Sequence, residues 1–156
     1  SSSTAIKILQ YIGDKRIVVI TNNGKVLDMN LSPKIEVILT GGQVYGRKQS
    51  MIGDIATQII STITATKCFI GVSGIASHCG ISTSVFQETT INMKMLENCN
   101  GPTFVLADSS KIGIHHNFSS GSIDNVNYVI TDKNADESEV KKLEEKGVKV
   151  IFSEEN

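Results

Sequence analysis

Short runs of aliphatic and β-branched residues alternate along this chain with segments of helical spacing, and this alternation restricts the fold more than any other feature. The runs occupy 17–20, 35–39, 68–70, 103–107, 128–130 and 148–152. The run at 17–20 is continuous and β-branched, the mark of a strand covered on both faces, which is the condition of a strand in a parallel sheet. Helical spacing fills most of the intervals. Ala5, Ile8, Leu9 and Ile12 predict a helix over 4–13, and a short helical turn is expected over 23–30. Ile52, Ile55, Ala56, Ile59, Ile60 and Ile63 predict one over 51–64 that lays a single apolar stripe on the sheet. Ser84-Val85-Phe86-Gln87 matches a capping box, so a helix should run from Val85 to about Asn98. Asp136 and Glu139 open a second box before a helix that turns Val140 and Leu143 inward and ends at Gly147. Segments 43–50, 72–83 and 109–124 read as loops. The expected fold class is α/β, a Rossmann-like three-layer arrangement of a parallel sheet with helices on both faces.

The strands share a second property: they end in small polar or glycine-rich clusters. These read Thr21-Asn22, Gly41-Gly42, Gly71-Val72-Ser73-Gly74, Asp108-Ser109-Ser110-Lys111 and Thr131-Asp132. Right-handed crossovers carry such ends to one edge of the sheet, where α/β proteins bind ligands. Ser1-Ser2-Ser3-Thr4 stands just before the first helical pattern, so hydroxyls and free N–H groups meet at a helix N-terminus suited to phosphate.

Size and charge narrow the function. A chain of 156 residues holds one domain with a real core. Its 15 basic and 16 acidic residues give a net charge of -1, which argues against this domain gripping nucleic acid through its own surface. No apolar run approaches the roughly 18 residues that cross a bilayer, and no signal-peptide pattern opens the chain. Cys68, Cys79 and Cys99 are spaced unlike a metal site or disulfide framework, and read as reduced thiols of a cytoplasmic protein. His78-Cys79 and His115-His116 are adjacent pairs without an evident third ligand, so no metal is expected.

Each candidate has a plain reading beside a functional one. Ser1, Ser2, Ser3 and Thr4 can cradle a phosphate or simply cap a helix, with Ser3 the natural cap. Thr21, Asn22, Gly41 and Gly42 can contact a ligand or supply turn chemistry. Gly71 and Gly74 either let backbone approach a ligand or form a tight loop. Glu88 is an acceptor for a sugar hydroxyl or a carboxylate favoured by the helix dipole. Lys94, six positions on and about 120° round the helix, reaches a ligand by its long stem or is solvated. Lys111 places a cation at the sheet edge facing the phosphate, and Asp108 either orients it or accepts a hydroxyl. Asp132 reads as a helix-entry turn residue and stays outside the site.

In that order, Ser1–Thr4, Val19-Ile20-Thr21-Asn22, Val37-Ile38-Leu39-Thr40-Gly41-Gly42, Phe69-Ile70-Gly71-Val72-Ser73-Gly74-Ile75, Gly80-Ile81, Glu88, Lys94, Leu106-Ala107-Asp108-Ser109-Ser110-Lys111 and Val129-Ile130-Thr131-Asp132 form a set that covers nearly the whole chain. The chain resembles the C-terminal effector-binding domain of DeoR-type repressors of bacterial sugar operons. The resemblance implies a fold similar to ribose-5-phosphate isomerase and glucosamine-6-phosphate deaminase. It implies a phosphorylated sugar as inducer, no cofactor, and homo-oligomers. It also implies regulation of operons such as those of lactose or fructose phosphotransferase systems. Operator DNA is then bound by a separate N-terminal winged helix-turn-helix, which this sequence does not contain. Also absent is the strand that usually precedes the Ser/Thr loop. An isomerase-like enzyme is the alternative, and Glu88 is its one convincing base; the supporting carboxylates expected within 71–80 are not there.

Overall fold

The computed structural model describes residues 2–46 and 49–154, and its parallel strands coincide with the apolar runs. Helix α1 (Ser3–Lys7) tightens into a 3-10 turn over Ile8–Tyr11 and leads to β1 (Ile17–Thr21). A 3-10 turn over Gly24–Asp28 joins β1 to β2 (Ile35–Leu39). Next come β3 (Gln43–Tyr45), β4 (Ser50–Ile52), α2 (Asp54–Ser61) and β5 (Cys68–Gly71). β6 (Gly74–Ala76), β7 (Gly80–Thr83) and α3 (Phe86–Glu97) precede β8 (Thr103–Leu106). β9 (Phe118–Gly121), β10 (Tyr128–Thr131), α4 (Glu137–Glu145) and β11 (Lys149–Phe152) complete the order.

Four of these strands form a parallel sheet in the order β11-β10-β8-β5, and among the described residues β1 pairs, in parallel, only with β2. Cys68, Ile70, Val105 and Val129 turn one face of the four-stranded sheet into the main core, where they meet Leu96 of α3 and Val140 and Leu143 of α4. Burying a side chain such as Leu143, which is fully enclosed, contributes about 1.5–3 kcal/mol. On the other face, a Cβ at Gly71 would overlap Ser2, so the start of α1 lies there. The fold is therefore α/β, a four-stranded parallel sheet with α3 and α4 packed on one face, consistent with a Rossmann-like arrangement, while Val18, Phe69 and Ile151 on the strands remain exposed.

The remaining strands replace the expected loops. Over 43–50 the chain instead forms β3, which pairs antiparallel with β4. β4 is anchored because Met51 N–H donates to Asn22 O at 2.7 Å. This displaces the helix start from 51 to Asp54, after Gly53 at φ 86°. The predicted stripe then divides: Ala56 and Ile60 pack with Ile52 and Ile91 against α3, while Ile55 is 63% exposed.

Segments 72–83 and 109–124 supply β6, β7 and β9, an antiparallel sheet buried beneath α3 rather than open loops. Small residues permit the packing: a Cβ at Gly74 would strike Ile114 O and Ser82 Oγ, and one at Gly80 would strike Gly121 O. The Ser84 box does not form. Val85 is the N-cap of α3 without a side-chain bond, and Thr83 Oγ1 accepts the Val85 N–H at 3.0 Å instead. The second box holds in part, since Asp136 Oδ1 accepts the Glu139 N–H at 2.8 Å. Gly147 at φ 86° closes α4, with its N–H donating to Glu144 O.

Candidate functional site

Parallel register brings the strand ends level. Thr21 is paired with Leu39 and Gly71 with Leu106, so the polar clusters emerge at one edge of each sheet. The first turn of α1 sits between the ends of β1 and β5. Its N-cap is Ser2 rather than Ser3: Ser2 Oγ accepts the N–H groups of Thr4 (3.1 Å) and Ala5 (3.2 Å). Two contacts fix Ser2 there. Asn23, just beyond β1, donates its Nδ2 to Ser2 O at 3.2 Å, and Gly71 presents a backbone without a Cβ. Ser1 lies outside the described residues.

Ser2, Thr21, Asn22 and Gly71 line one cleft of about 630 Å3 between β1 and β5. Asn22 is almost fully buried and its Nδ2 donates to Met51 O at 3.0 Å. Thr21 Oγ1 accepts the Asn23 N–H at 3.2 Å, which shapes the turn after β1. The end of β2 adjoins this turn, with Thr40 N–H donating to Thr21 O at 3.0 Å. Gly41 and Gly42 follow at positive φ, and Gly42 lies so near Ile52 O that a side chain would collide.

A second group forms where β8 ends. Asp108 caps a 3-10 turn over Ser109–Lys111, accepting both the N–H and the hydroxyl of Ser110. Lys111 Nζ lies 2.9 Å from Asp108 Oδ2. The Ser110 hydroxyl first, and then the Lys111 ammonium, hold the Asp108 carboxyl below its ordinary range. The ion pair is half exposed, so its worth to the fold is about 0–1 kcal/mol. The turn is tied to β6 through the Ile75–Ile112 bridge and the Gly113 N–H to Ile75 O bond at 2.7 Å.

Glu88 and Lys94 occupy different ends of α3. Glu88 is buried in its first turn, where Thr83 Oγ1 donates to Oε2 at 3.5 Å. Lys94 is in the last turn and pairs with Glu97 at 2.7 Å. The cleft lining contains neither of them, nor Gly74, Asp108 or Lys111.

Two positions gain importance from the coordinates. Asn23 is 2% exposed and holds Ser2; the Asn-Asn doublet directly after an apolar run was its available signal. Asp132 Oδ2 accepts the Ser109 N–H at 2.7 Å across the sheet edge and so orients the Lys111 turn. Elsewhere, His78 and His115 come within 6.2 Å between ring centroids, yet among the described residues no cluster of three metal-ligating groups exists. Burial, reinforced by nearby Cys99, pushes the Cys68 thiol up to about 12, which leaves it protonated and unreactive at neutral pH. Among the described residues no helix is long and apolar enough to cross a membrane.

The family model described as the DeoR C-terminal sensor domain matches residues 1–133. The chain is 32% identical over 96% of its length to the helix-turn-helix-type transcriptional regulator YulB of Bacillus subtilis, and covers 58% of that protein. It is 28% identical over 99% of its length to the transcriptional regulator GolR of Listeria innocua, covering 61% of it. It is 25% identical over 85% of its length to a lactose phosphotransferase system repressor of Staphylococcus epidermidis, covering 53%. The chain thus spans about three fifths of the length of the first two of these relatives.

Proposed function

The chain belongs to the family of DeoR C-terminal sensor domains, and from that premise we propose that it binds a phosphorylated sugar and thereby controls DNA binding by a separate N-terminal helix-turn-helix domain. The observation that carries this reading is the convergence of Ser2, Thr21, Asn22 and Gly71 where the C-terminal ends of β1 and β5 meet. Phosphate is held by the Ser1–Thr4 hydroxyls and by the Thr4 and Ala5 N–H groups, in exchange for the Ser2 cap. Asn22, Gly41 and Gly42 flank the sugar, Gly74 leaves backbone accessible, and Glu88 accepts a hydroxyl. Lys111, oriented by Asp108, supplies the cation that neutralises the phosphate, and Lys94 reaches toward the ligand from α3. Three or four charge-assisted bonds of roughly 1.5–3 kcal/mol each suffice for micromolar binding.

The domain acts as a sensor without catalysis, in a cytoplasmic homo-oligomeric repressor of a sugar operon. Glu88 is the single base candidate at the start of α3, and a proton shuttle between sugar carbons needs a second positioned group. Regulation requires that the sugar phosphate bind one arrangement of the repressor better than the other. Coupling runs through the β6-β7-β9 sheet, which is bridged to the Lys111 turn. A thermal-shift screen over tagatose 6-phosphate, fructose 1-phosphate, glucosamine phosphates and glycerol 3-phosphate tests the reading. One member should stabilise the domain at saturation; no shift with any phosphosugar, or turnover of one of them, would overturn it.

A further inference from the structure

We propose that Ser50 is a further ligand-contacting residue of the sugar-phosphate site, its buried hydroxyl donating to a hydroxyl on the unphosphorylated part of the sugar. The inference rests on the phosphosugar reading above and gives Glu88 a partner in reading the sugar. Among the described residues three buried hydroxyls have no hydrogen-bond partner: those of Ser50, Ser120 and Thr131. Native folds pair nearly all such groups, so each orphan needs a reason. Ser120 is the extra residue of β9 where its register with β7 slips, between Ile81 and Ser82. Thr131 shares with Val129 the side of β10 that closes the main core. Ser50 stands instead among other buried polar groups. Asn23 is bridged to it, and Asn22 Nδ2 donates to the carbonyl of the next residue, Met51.

Chain direction brings Glu88 to the same place. β4 runs antiparallel to the Asn22-Asn23 end of β1, so it leads away from the C-terminal edge of the strands. α3 leads away from that edge too, because Asn98 at its far end accepts the Ala65 N–H just before β5 begins. Ile52 and Ile91 meet in one apolar cluster between the two elements. Ser50 lies two residues before Ile52 on the same side of β4, and Glu88 lies about one helical turn before Ile91. Both therefore stand on the ligand side of that apolar contact, and both are buried. The backbone of β4 is held on each side of Ser50, by Met51 N–H to Asn22 O at 2.7 Å and by Gly24 N–H to Gln49 O at 2.9 Å, so the strand cannot turn the hydroxyl out to solvent.

The two groups are chemically complementary. A carboxylate only accepts hydrogen bonds, whereas a serine hydroxyl also donates. One sugar hydroxyl satisfies both, donating to Glu88 and accepting from Ser50. Thr83, the other hydroxyl beside Glu88, is already engaged: it donates to Oε2 and accepts the Val85 N–H. Asn23 connects this pair to the phosphate end, since its amide donates to Ser2 O while its backbone is bridged to Ser50. A ligand seated at Ser2 thus meets Ser50 one residue further on.

Titration calorimetry of the full-length protein tests the assignment, with tagatose 6-phosphate, fructose 1-phosphate, glucosamine 6-phosphate and glycerol 3-phosphate as probes and thermal melts of the ligand-free protein beside it. Ser50→Ala should bind the tightest of these about tenfold more weakly than wild type does. Its ligand-free melt should be no lower than that of wild type, because the change removes an orphan hydroxyl and breaks no bond. Ser120→Ala removes another orphan and should leave affinity unchanged. Unchanged affinity in Ser50→Ala, an equal loss in Ser120→Ala, or a lower ligand-free melt for Ser50→Ala would each overturn the role of Ser50 and leave the phosphosugar reading standing. Failure of the wild type to bind any of the four would instead overturn that reading, and this inference with it.

Discussion

The Asp132 carboxylate accepts the Ser109 N–H at 2.7 Å, so the end of β10 fixes the first residue of the turn that carries Lys111. That bond, the Ser109 hydroxyl and the Asn134 N–H hold the Asp132 carboxyl below its ordinary range. Asp132 thus fixes the turn from which Lys111 projects. Asp132→Asn should weaken phosphosugar binding by about fivefold through misplacement of Lys111. Titration calorimetry checks this, and unchanged affinity would detach Asp132 from the site.

Lys111 itself should matter more. A ligand at a hundred times its Kd stabilises the domain by about 2.7 kcal/mol, a shift of several degrees for a chain of this size. Lys111→Ala should remove most of that shift, because the proposed phosphate then lacks the cation that Asp108 orients. Lys133→Ala, an exposed change after β10, should leave it intact. Equal shifts in the two variants would exclude Lys111.

Gly71 tests the seat of α1. An alanine methyl there would overlap the Ser2 side chain, and Ser2 is pinned from the other side by Asn23. Gly71→Ala should cost about 1–3 kcal/mol as an overpacking change. It should also abolish the phosphosugar-induced shift, because Ser2 and the first turn of α1 must move aside. A urea melt of wild-type stability with a normal ligand response would show that α1 is not seated as described.

The parallel strands were legible because 17–20 and 104–107 are unbroken apolar runs, although the structure leaves Val18 of β1 53% exposed. β6 and β7 were not. Gly74-Ile75-Ala76 and Gly80-Ile81-Ser82-Thr83 have weak intrinsic strand preference, and they are strands because close packing on β9 and Ile114 demands residues that small. Of the strand-end clusters, Thr21, Asn22 and Gly71 line one cleft with Ser2, and Gly41, Gly42, Gly74, Asp108 and Lys111 lie outside its lining. The bonds that organise these strand ends, Asn23 to Ser2 over 21 residues and Ser109 to Asp132 over 23, have no local pattern to announce them. Glu88 and Lys94 illustrate the converse: sequence spacing set them about 120° apart, and an i,i+3 bond to Glu97 holds Lys94 in the last turn.

The divided stripe of α2 is open to a direct comparison. Ile60 is 5% exposed among Ile52, Ala56 and Ile91, whereas Ile55 is 63% exposed. Ile60→Ala should destabilise by about 2–5 kcal/mol, since it removes buried methylenes and leaves a cavity between α2 and α3. Ile55→Ala should stay within about 0.5 kcal/mol in a denaturant melt of this domain. Comparable losses would mean that the whole stripe is buried, as its spacing alone implies.

Glu139 links stability to pH. Its Oε1 accepts the Ser77 N–H at 2.7 Å, joining the first turn of α4 to the β6–β7 turn. Burial opposes ionisation of this carboxyl, but the Ser77 bonds and the Lys142 ammonium outweigh it, so its folded pKa lies below the ordinary value of 4.5. A depressed folded pKa means that the unfolded chain binds the proton more readily. The stabilisation is therefore complete above pH 4.5 and is lost as the pH falls through the lower, folded value. Glu139→Gln should cost about 1–2 kcal/mol at neutral pH, where it replaces a charge-assisted acceptor with a neutral one. The gap between wild type and variant should narrow in melts taken at progressively lower pH. A gap constant from neutral pH to the acid limit would show that the carboxylate charge contributes nothing to holding α4 against β6.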